Sequence, residues 1–222
     1  MFLMPFGEPI KEVFTKQVRL CEDIRTALPK LKAGHYKTIY MDPPWRLIGG
    51  KGARSFRSGA GANHVYDTMR QSDLLALAVE VRRVTAPAAH LYMWSTNNFL
   101  PDALELVEAY GFKHVTMVTW GKTTGAAMGQ YYRSNTEQCL FAVRGSLPYK
   151  LKVEVTAAQV KGLAREQGST LLLAPRTGLR HSEKPAEMRD TIERVSQGPF
   201  LELFGRRVPR NWDAIGNELE DA

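Results

Sequence analysis

The stretch Tyr36-Lys37-Thr38-Ile39-Tyr40-Met41-Asp42-Pro43-Pro44-Trp45 decides how this chain is read. Its first six residues are mostly apolar or β-branched and have the length of a buried strand. The strand must end at the two prolines, which have no N–H to give to a sheet ladder. A carboxylate, two rigid rings and an indole are thereby gathered at the carboxyl end of a strand. In open α/β sheets, ligands and catalytic groups collect at such ends. A surface turn explains a bare Asp-Pro pair. The full tetrad directly after an apolar strand points to catalysis.

Strand and helix signals alternate on either side of this stretch. Residues 1–16 carry no clear signal and read as a loose arm, and Gln17 to Leu28 is open between strand and helix. Ser72 caps a helix running to about Thr85, with Leu75, Ala78, Val79 and Arg82 at helical spacing and Pro87 as its stop. His90 to Trp94 is a second buried strand, ending at the polar cluster Ser95-Thr96-Asn97-Asn98. Pro101 opens a helix with Leu104, Val107 and Tyr110 on one face and Gly111 as its stop. His114–Trp120 and Glu137–Val143 are strands with no helix between them. Ser182 caps a helix with Pro185 in its first turn, a stripe of Met188, Ile192 and Val195, and Gly198 at its end. Pro199–Phe204 is an alternating strand, and Trp212–Gly216 a short last one. The pattern predicts one α/β domain over residues 1–222, doubly wound around a mostly parallel sheet. One antiparallel strand comes from the 114–143 pair.

Composition bounds the rest. A chain of 222 residues, 44% of them hydrophobic, builds a substantial single core. Its formal charge of +7 suits a polyanionic partner. Cys21 and Cys139 have neither metal-ligand spacing nor a disulfide framework, which fits a reducing, cytoplasmic setting and no metal. No apolar run is long enough for a membrane span, and no signal-peptide pattern opens the chain.

Two loops draw notice. Residues 46–64 are rich in glycine and basic residues, without a dinucleotide or phosphate-loop motif. They read as a flexible surface loop or as a lid beside the tetrad, touching a nucleic-acid backbone through Lys51, Arg54 and Arg57. Gly121 to Thr136 interleaves Lys122, Tyr131, Tyr132 and Arg133, as a surface that stacks bases and meets phosphates does. Local packing of the tyrosines is the alternative. Thr156 to Glu166 reads as a solvated surface helix. Lys184, near a helix start, opposes the macrodipole, so either an anionic partner or plain exposure accounts for it.

The chemistry that uses such a tetrad is methylation of an exocyclic amine. The adenine N6 lone pair is delocalised into the ring. Two acceptors aimed at its N–H bonds favour a more nucleophilic nitrogen as charge develops. The Asp42 carboxylate and the Pro43 carbonyl, held by Pro44, are those acceptors. Trp45 offers a face for a flipped base.

The motifs run in order through Cys21-Glu22-Asp23-Ile24-Arg25, Asp42-Pro43-Pro44-Trp45, Tyr66-Asp67-Thr68-Met69, Met93-Trp94-Ser95-Thr96 and Val118-Thr119-Trp120-Gly121-Lys122. They continue through Glu137-Gln138-Cys139-Leu140, His181-Ser182-Glu183-Lys184-Pro185, Leu201-Glu202-Leu203-Phe204-Gly205-Arg206 and Gly216-Asn217-Glu218. In this the chain resembles the MT-A70 family of N6-adenine methyltransferases over nearly its whole length. The resemblance implies a class I, Rossmann-like methyltransferase fold in permuted β-type order, with S-adenosylmethionine as cofactor. It implies Asp23 and Ile24 at the cofactor adenine and Lys184 at its methionine carboxylate. Glu202, Arg206, Asn217 and Glu218 complete the pocket, and Asp42 also meets the cofactor ammonium. Tyr66, Trp94 and Asn97 stand on the substrate side. Two departures bear on the ribose contacts: residues 206–210 are fewer than in the RNA enzymes, and Glu218 stands where those carry Gln. The compact chain favours DNA as substrate, with a monomer or homodimer expected. The rivals are the same reaction on RNA and a non-catalytic nucleic-acid-binding partner.

Overall fold

The computed structural model describes residues 19–20, 22–45, 68–124, 131–132, 134–150, 168–176, 183–217 and 219. Among these, eight strands form one sheet: β1 (Arg19–Leu20), β2 (Tyr36–Met41), β3 (Thr85–Ser95), β4 (Lys113–Lys122), β5 (Thr136–Arg144), β6 (Leu171–Ala174), β7 (Phe200–Leu203) and β8 (Trp212–Ile215). Their order across the sheet is β1-β8-β7-β2-β3-β5-β4-β6. β5 runs antiparallel to both β3 and β4, and every other pairing is parallel. The single antiparallel strand expected from the 114–143 pair is therefore β5.

The order reverses at β2. The chain proceeds from β2 toward β3 in one direction and returns with β7 and β8 on the other side. The crevice at the carboxyl ends of β2 and β7 is thus the switch point at which doubly wound sheets hold ligands. β2 spans the residues expected from sequence, Tyr36–Met41, and delivers Asp42 to that crevice.

Side-chain alternation divides the sheet. On one face Ile39, Met41, Leu91, Met93, Leu140, Leu201, Leu203 and Ile215 form an apolar cluster. It is covered by α1 (Ile24–Ala27), α2 (Gln71–Ala76), α3 (Ala78–Val84) and α4 (Leu100–Ala109). On the other face Tyr40, Tyr92, Trp94, Trp120, Cys139, Phe141 and Trp212 pack under α5 (Glu187–Val195) through Met188 and Ile192. No helix among the described residues is long and apolar enough to cross a membrane.

Several local expectations shift. The 72–85 helix is two helices that meet at Leu77, and its buried face is Leu74, Leu77, Val81 and Val84, with Val79 exposed. Arg82 and Arg83 turn outward from that face. Their guanidiniums cap the carbonyls that end α4 (Ala109, Glu108) and the turn after α1 (Leu28, Leu31). Pro87 does not stop the helix. It lies inside β3, where the β2–β3 register slips between Tyr36 and Thr38 and the β5 ladder has not yet begun, so no ladder donor is lost. In α4 the buried residues are Ala103, Leu106 and Val107, while Leu104 is exposed; Gly111, at φ +83°, ends the helix as anticipated. α5 starts at Glu187, with Pro185 just before it, and closes at Ser196. β7 does not alternate: all four residues are buried, because it lies between β2 and β8 with both faces covered. Leu171–Ala174 is an edge strand, paired in parallel with the carboxyl half of β4.

Candidate active site

The side chains at the carboxyl edge of the aromatic face form one chain of alternating charge. The Lys184 ammonium donates to Asp42 Oδ2 at 2.7 Å and stands 3.4 Å from Glu137 Oε2. Lys122 donates to Glu137 Oε1 at 2.6 Å. Asp42 follows β2, Lys122 ends β4, Glu137 opens β5 and Lys184 precedes α5, so four separate segments converge. The Lys122, Lys184 and Glu137 side chains are 6%, 11% and 18% exposed, whereas Asp42 keeps 34% of its side chain open to the crevice. The two ammoniums also lie over indoles, Lys184 over Trp94 at 5.6 Å and Lys122 over Trp120 at 5.1 Å.

Electrostatics follow from this arrangement. Burial pushes the Asp42 carboxyl above its ordinary value, and Lys184 offsets that only in part. Burial also acts against the charged forms of Lys184 and Glu137, but their partners outweigh it. Lys184 is held above its ordinary value by Asp42 and Glu137, and Glu137 below its own by Lys184 and Lys122. At neutral pH Lys184 is a cation and Glu137 an anion.

Beneath this row lies a second one. Arg189 donates to both oxygens of Glu202, at 2.8 and 2.7 Å, and its guanidinium stands 5.7 Å from the Tyr40 ring centre. The Tyr40 hydroxyl accepts from Trp94 Nε1 at 2.7 Å. Arg189 was missed from sequence. The available signal was a carboxylate, Glu202, in the middle of the apolar run Phe200–Leu203, which needs a buried cation. An arginine beside the Met188–Ile192 stripe is that cation.

The cofactor-side residues assigned by resemblance are distributed as follows. Asp23 caps α1 and is closed on Arg25, whose hydrogen bonds hold the carboxyl below its ordinary value. Ile24 is 4% exposed and belongs to the apolar core. Glu202 is occupied by Arg189. Arg206 and Asn217 follow Gly205 and Gly216, at the ends of β7 and β8. Those glycines touch backbone to backbone: a Cβ on Gly216 would stand 2.0 Å from the Gly205 oxygen. Gly205 N donates to Ile215 O at 2.9 Å and Gly216 N to Leu20 O at 3.3 Å, giving a side-chain-free shelf beside Asp42.

The structure places three substrate-side candidates in the interior. Trp45 is 8% exposed; its ring stacks on Phe99 at 5.4 Å and its Nε1 donates to Trp94 O at 3.2 Å, so it wedges the tetrad into the core. Trp94 is 1% exposed and floors the charge row. Lys122 is spent on Glu137 and turns inward. Burial wins in all three because each aromatic ring or aliphatic stem has apolar neighbours and each polar tip a partner. The Pro43 oxygen accepts the Trp45 N–H at 2.8 Å, and its second lone pair remains. Pro44 O binds Met69 N at 2.9 Å. Asn97 is exposed at the end of β3, and Tyr131 is 92% exposed. Lys51, Arg54, Arg57, Tyr66, Arg133 and Glu218 lie outside the described residues, as does the 156–166 segment.

Comparison with known proteins places the chain among methyltransferases. Over 208 residues the chain is 29% identical to the Type II methyltransferase M.MunI of Mycoplasma sp, covering 87% of this chain and 82% of that protein. It is 26% identical over 218 residues to the human N(6)-adenosine-methyltransferase catalytic subunit METTL3, covering 90% of this chain but 31% of METTL3. A rice protein described as a probable N(6)-adenosine-methyltransferase MT-A70-like is 24% identical over 202 residues. The MT-A70 family model matches residues 36–218, from the first residue of β2 to past the shelf beside Asp42. The chain belongs to the MT-A70 family of N6-adenine methyltransferases.

Proposed function

We propose that the chain transfers a methyl group from S-adenosylmethionine to adenine N6 in DNA. The observation that carries the proposal is the Asp42–Lys184 pair at the switch point. A partly open carboxylate and an ammonium, closed on each other, match the two ends of a zwitterion, which can replace each charge by its own. The amino-acid end of S-adenosylmethionine is such a zwitterion. The residues fit: Lys184 receives its carboxylate, Asp42 accepts from its ammonium, and Arg206 and Asn217 follow the two close-packed glycines, Gly205 and Gly216, at the ends of the neighbouring strands. When bound, S-adenosylmethionine supplies a sulfonium methyl that passes to the N6 lone pair while the broken bond's electrons stay on sulfur.

The chain's own residues do the rest. The Asp42 carboxylate and the free lone pair of Pro43 O accept from the two N–H bonds of the target amine, and so favour positive charge developing on nitrogen. The extra N–H proton then leaves to water, since the alkylated nitrogen is a strong acid. Trp45 keeps the tetrad rigid from below. The exposed Asn97 and Tyr131 stand on the open side for the nucleic acid.

Similarity favours DNA: the chain is 29% identical to a Type II methyltransferase and 26% identical to the human adenosine methyltransferase. The test is transfer of labelled methyl from cofactor to DNA and to RNA side by side, with mass spectrometry of the product nucleoside. N6-methyldeoxyadenosine is expected. Label on RNA alone, or on cytosine, refutes the proposal. Asp42→Asn keeps the shape, removes the charge and turns an N–H toward the amine, so single-turnover rate falls on the order of 100-fold.

A further inference from the structure

We propose that Glu137 is a positioning residue of this site, a second carboxylate that receives Lys184 when Asp42 turns to an incoming ammonium or amine. The proposal rests on the reading of Asp42 as that acceptor. Geometry carries it. The Lys184 ammonium already lies between the two carboxylates, 2.7 Å from Asp42 and 3.4 Å from Glu137. A sub-ångström shift exchanges its main partner. Without Glu137, a cation that is 11% exposed would leave Asp42 with no Glu137 oxygen to receive it before the cofactor's own carboxylate arrives, which is costly in a buried setting. With Glu137 in place the charge is compensated throughout the movement.

Lys122 completes the device. It holds the far oxygen of Glu137 at 2.6 Å, which fixes the carboxylate and leaves Oε2 facing Lys184. The stem of Lys122 is buried and its ammonium is set over Trp120, so it does not follow Lys184. Glu137 is held anionic by its two lysines and is ready to accept. The groups that face Asp42 from the packed segments are Lys184, Glu137 on β5, Arg206 after β7, Glu202 on β7 and the Cys139 thiol. Of these, Glu137 is the carboxylate in contact with the Asp42 partner Lys184. Sequence places Glu137 only within a motif and assigns it no role.

The test uses the whole chain and reads two quantities apart from turnover. Calorimetry with S-adenosylhomocysteine, which carries the same zwitterion, measures affinity. Carbon-13 NMR of labelled aspartate, with Asp42 assigned by its loss in Asp42→Asn, measures how Asp42 titrates. Glu137→Gln is expected to weaken S-adenosylhomocysteine binding roughly 10-fold, or about 1.4 kcal/mol. It also lowers the Asp42 midpoint, because a nearby negative charge is gone and Lys184 stays on Asp42. The acid limb of the rate profile moves the same way. Glu137→Asp, which keeps the charge, restores both readouts toward wild type. A merely structural role would lower melting temperature and leave affinity and the Asp42 titration where they were; that result overturns the proposal. So does a Glu137→Asp variant as impaired as Glu137→Gln. If Glu137→Gln does not fold, Lys122→Met decides. Left with one cation, Glu137 draws Lys184 off Asp42, and the Asp42 midpoint rises; an unmoved midpoint overturns the proposal. Absence of methylation on any polymer would defeat the assigned function, while the NMR titration still judges Glu137.

Discussion

The two faces of the sheet are made by the same strands and behave as different materials. The face under α1 to α4 is lined with aliphatic side chains such as Ile39, Met41, Leu91, Met93 and Leu201. The face under α5 is aromatic and threaded with hydrogen bonds. Thr38 donates to Gln197 O at 2.7 Å, His90 shares a 2.7 Å bond with Ser196, Tyr92 meets the same hydroxyl at 2.8 Å, and Trp212 donates to Glu193 at 2.6 Å. Alternation along a strand sends each neighbouring residue to the opposite face. One face can therefore be a close-packed support while the other holds charges within bonding distance of each other. The charge row of the candidate site is the top of the second face, and rigidity comes from the first.

Breaking each face in turn sharpens that contrast. The largest losses belong to buried groups left without partners or neighbours. Arg189→Met strands the Glu202 carboxylate and is expected to cost about 3–5 kcal/mol near neutral pH, comparable to Leu91→Ala on the aliphatic face at about 2–5 kcal/mol. Their pH dependence separates them. Burial already holds the Glu202 carboxyl above its ordinary 4.5, Arg189 offsetting that in part, and Met removes the offset. A raised carboxyl leaves stability intact below its unfolded value and lowers it as pH rises through the folded one. The Arg189→Met deficit should therefore shrink as pH falls toward 4.5 in denaturant titrations, while that of Leu91→Ala stays flat. Equal pH profiles would erase the distinction between the faces.

Trp45 tests where the faces meet. As a core wedge, Trp45→Ala should lose about 3–5 kcal/mol of stability by chemical denaturation. A base-stacking role alone would leave stability unchanged and raise only the apparent substrate constant.

Smaller effects lie in the charge row itself. Lys184→Ala should weaken cofactor binding by roughly 1.5–3 kcal/mol, the range for a hydrogen bond to a charged group. Unchanged affinity by calorimetry removes Lys184 from the pocket. Tyr131, outside both faces, sets the lower limit. Tyr131→Ala should move stability by no more than about 0.5 kcal/mol, yet cost roughly 1–3 kcal/mol of single-strand binding.

The aromatic face also carries an acid sensitivity. Burial holds His90 below its ordinary 6.5, so the neutral ring belongs to the fold. A histidine kept neutral contributes stability that is full above 6.5 and is lost as pH falls through its folded value. Thermal scans on acidification should show this loss, and His90→Gln should blunt it.

By itself the sequence determined the strand that ends at Asp42, the alternation of strands and helices, one antiparallel strand within the 114–143 pair and the motif order that marks the family. These are local signals: a run of β-branched and apolar residues, prolines that cannot join a ladder, a glycine at positive φ after α4, and residue types at short spacing. Tertiary structure alone decided which side chains remain available. Trp45 and Lys122 look available to a nucleic acid in the sequence, and Trp94 ends a buried strand there; all three are buried, because rings and aliphatic stems gain by leaving water once their polar tips are partnered. Arg189 and Glu137 look ordinary in the sequence. They matter because the crossover to β7 brings α5 over the aromatic face and the hairpin of β4 and β5 turns Glu137 to the carboxyl edge of the sheet. Ion pairing depends on distance through space, and Asp42 and Lys184 are 142 residues apart along the chain but 2.7 Å apart across the crevice.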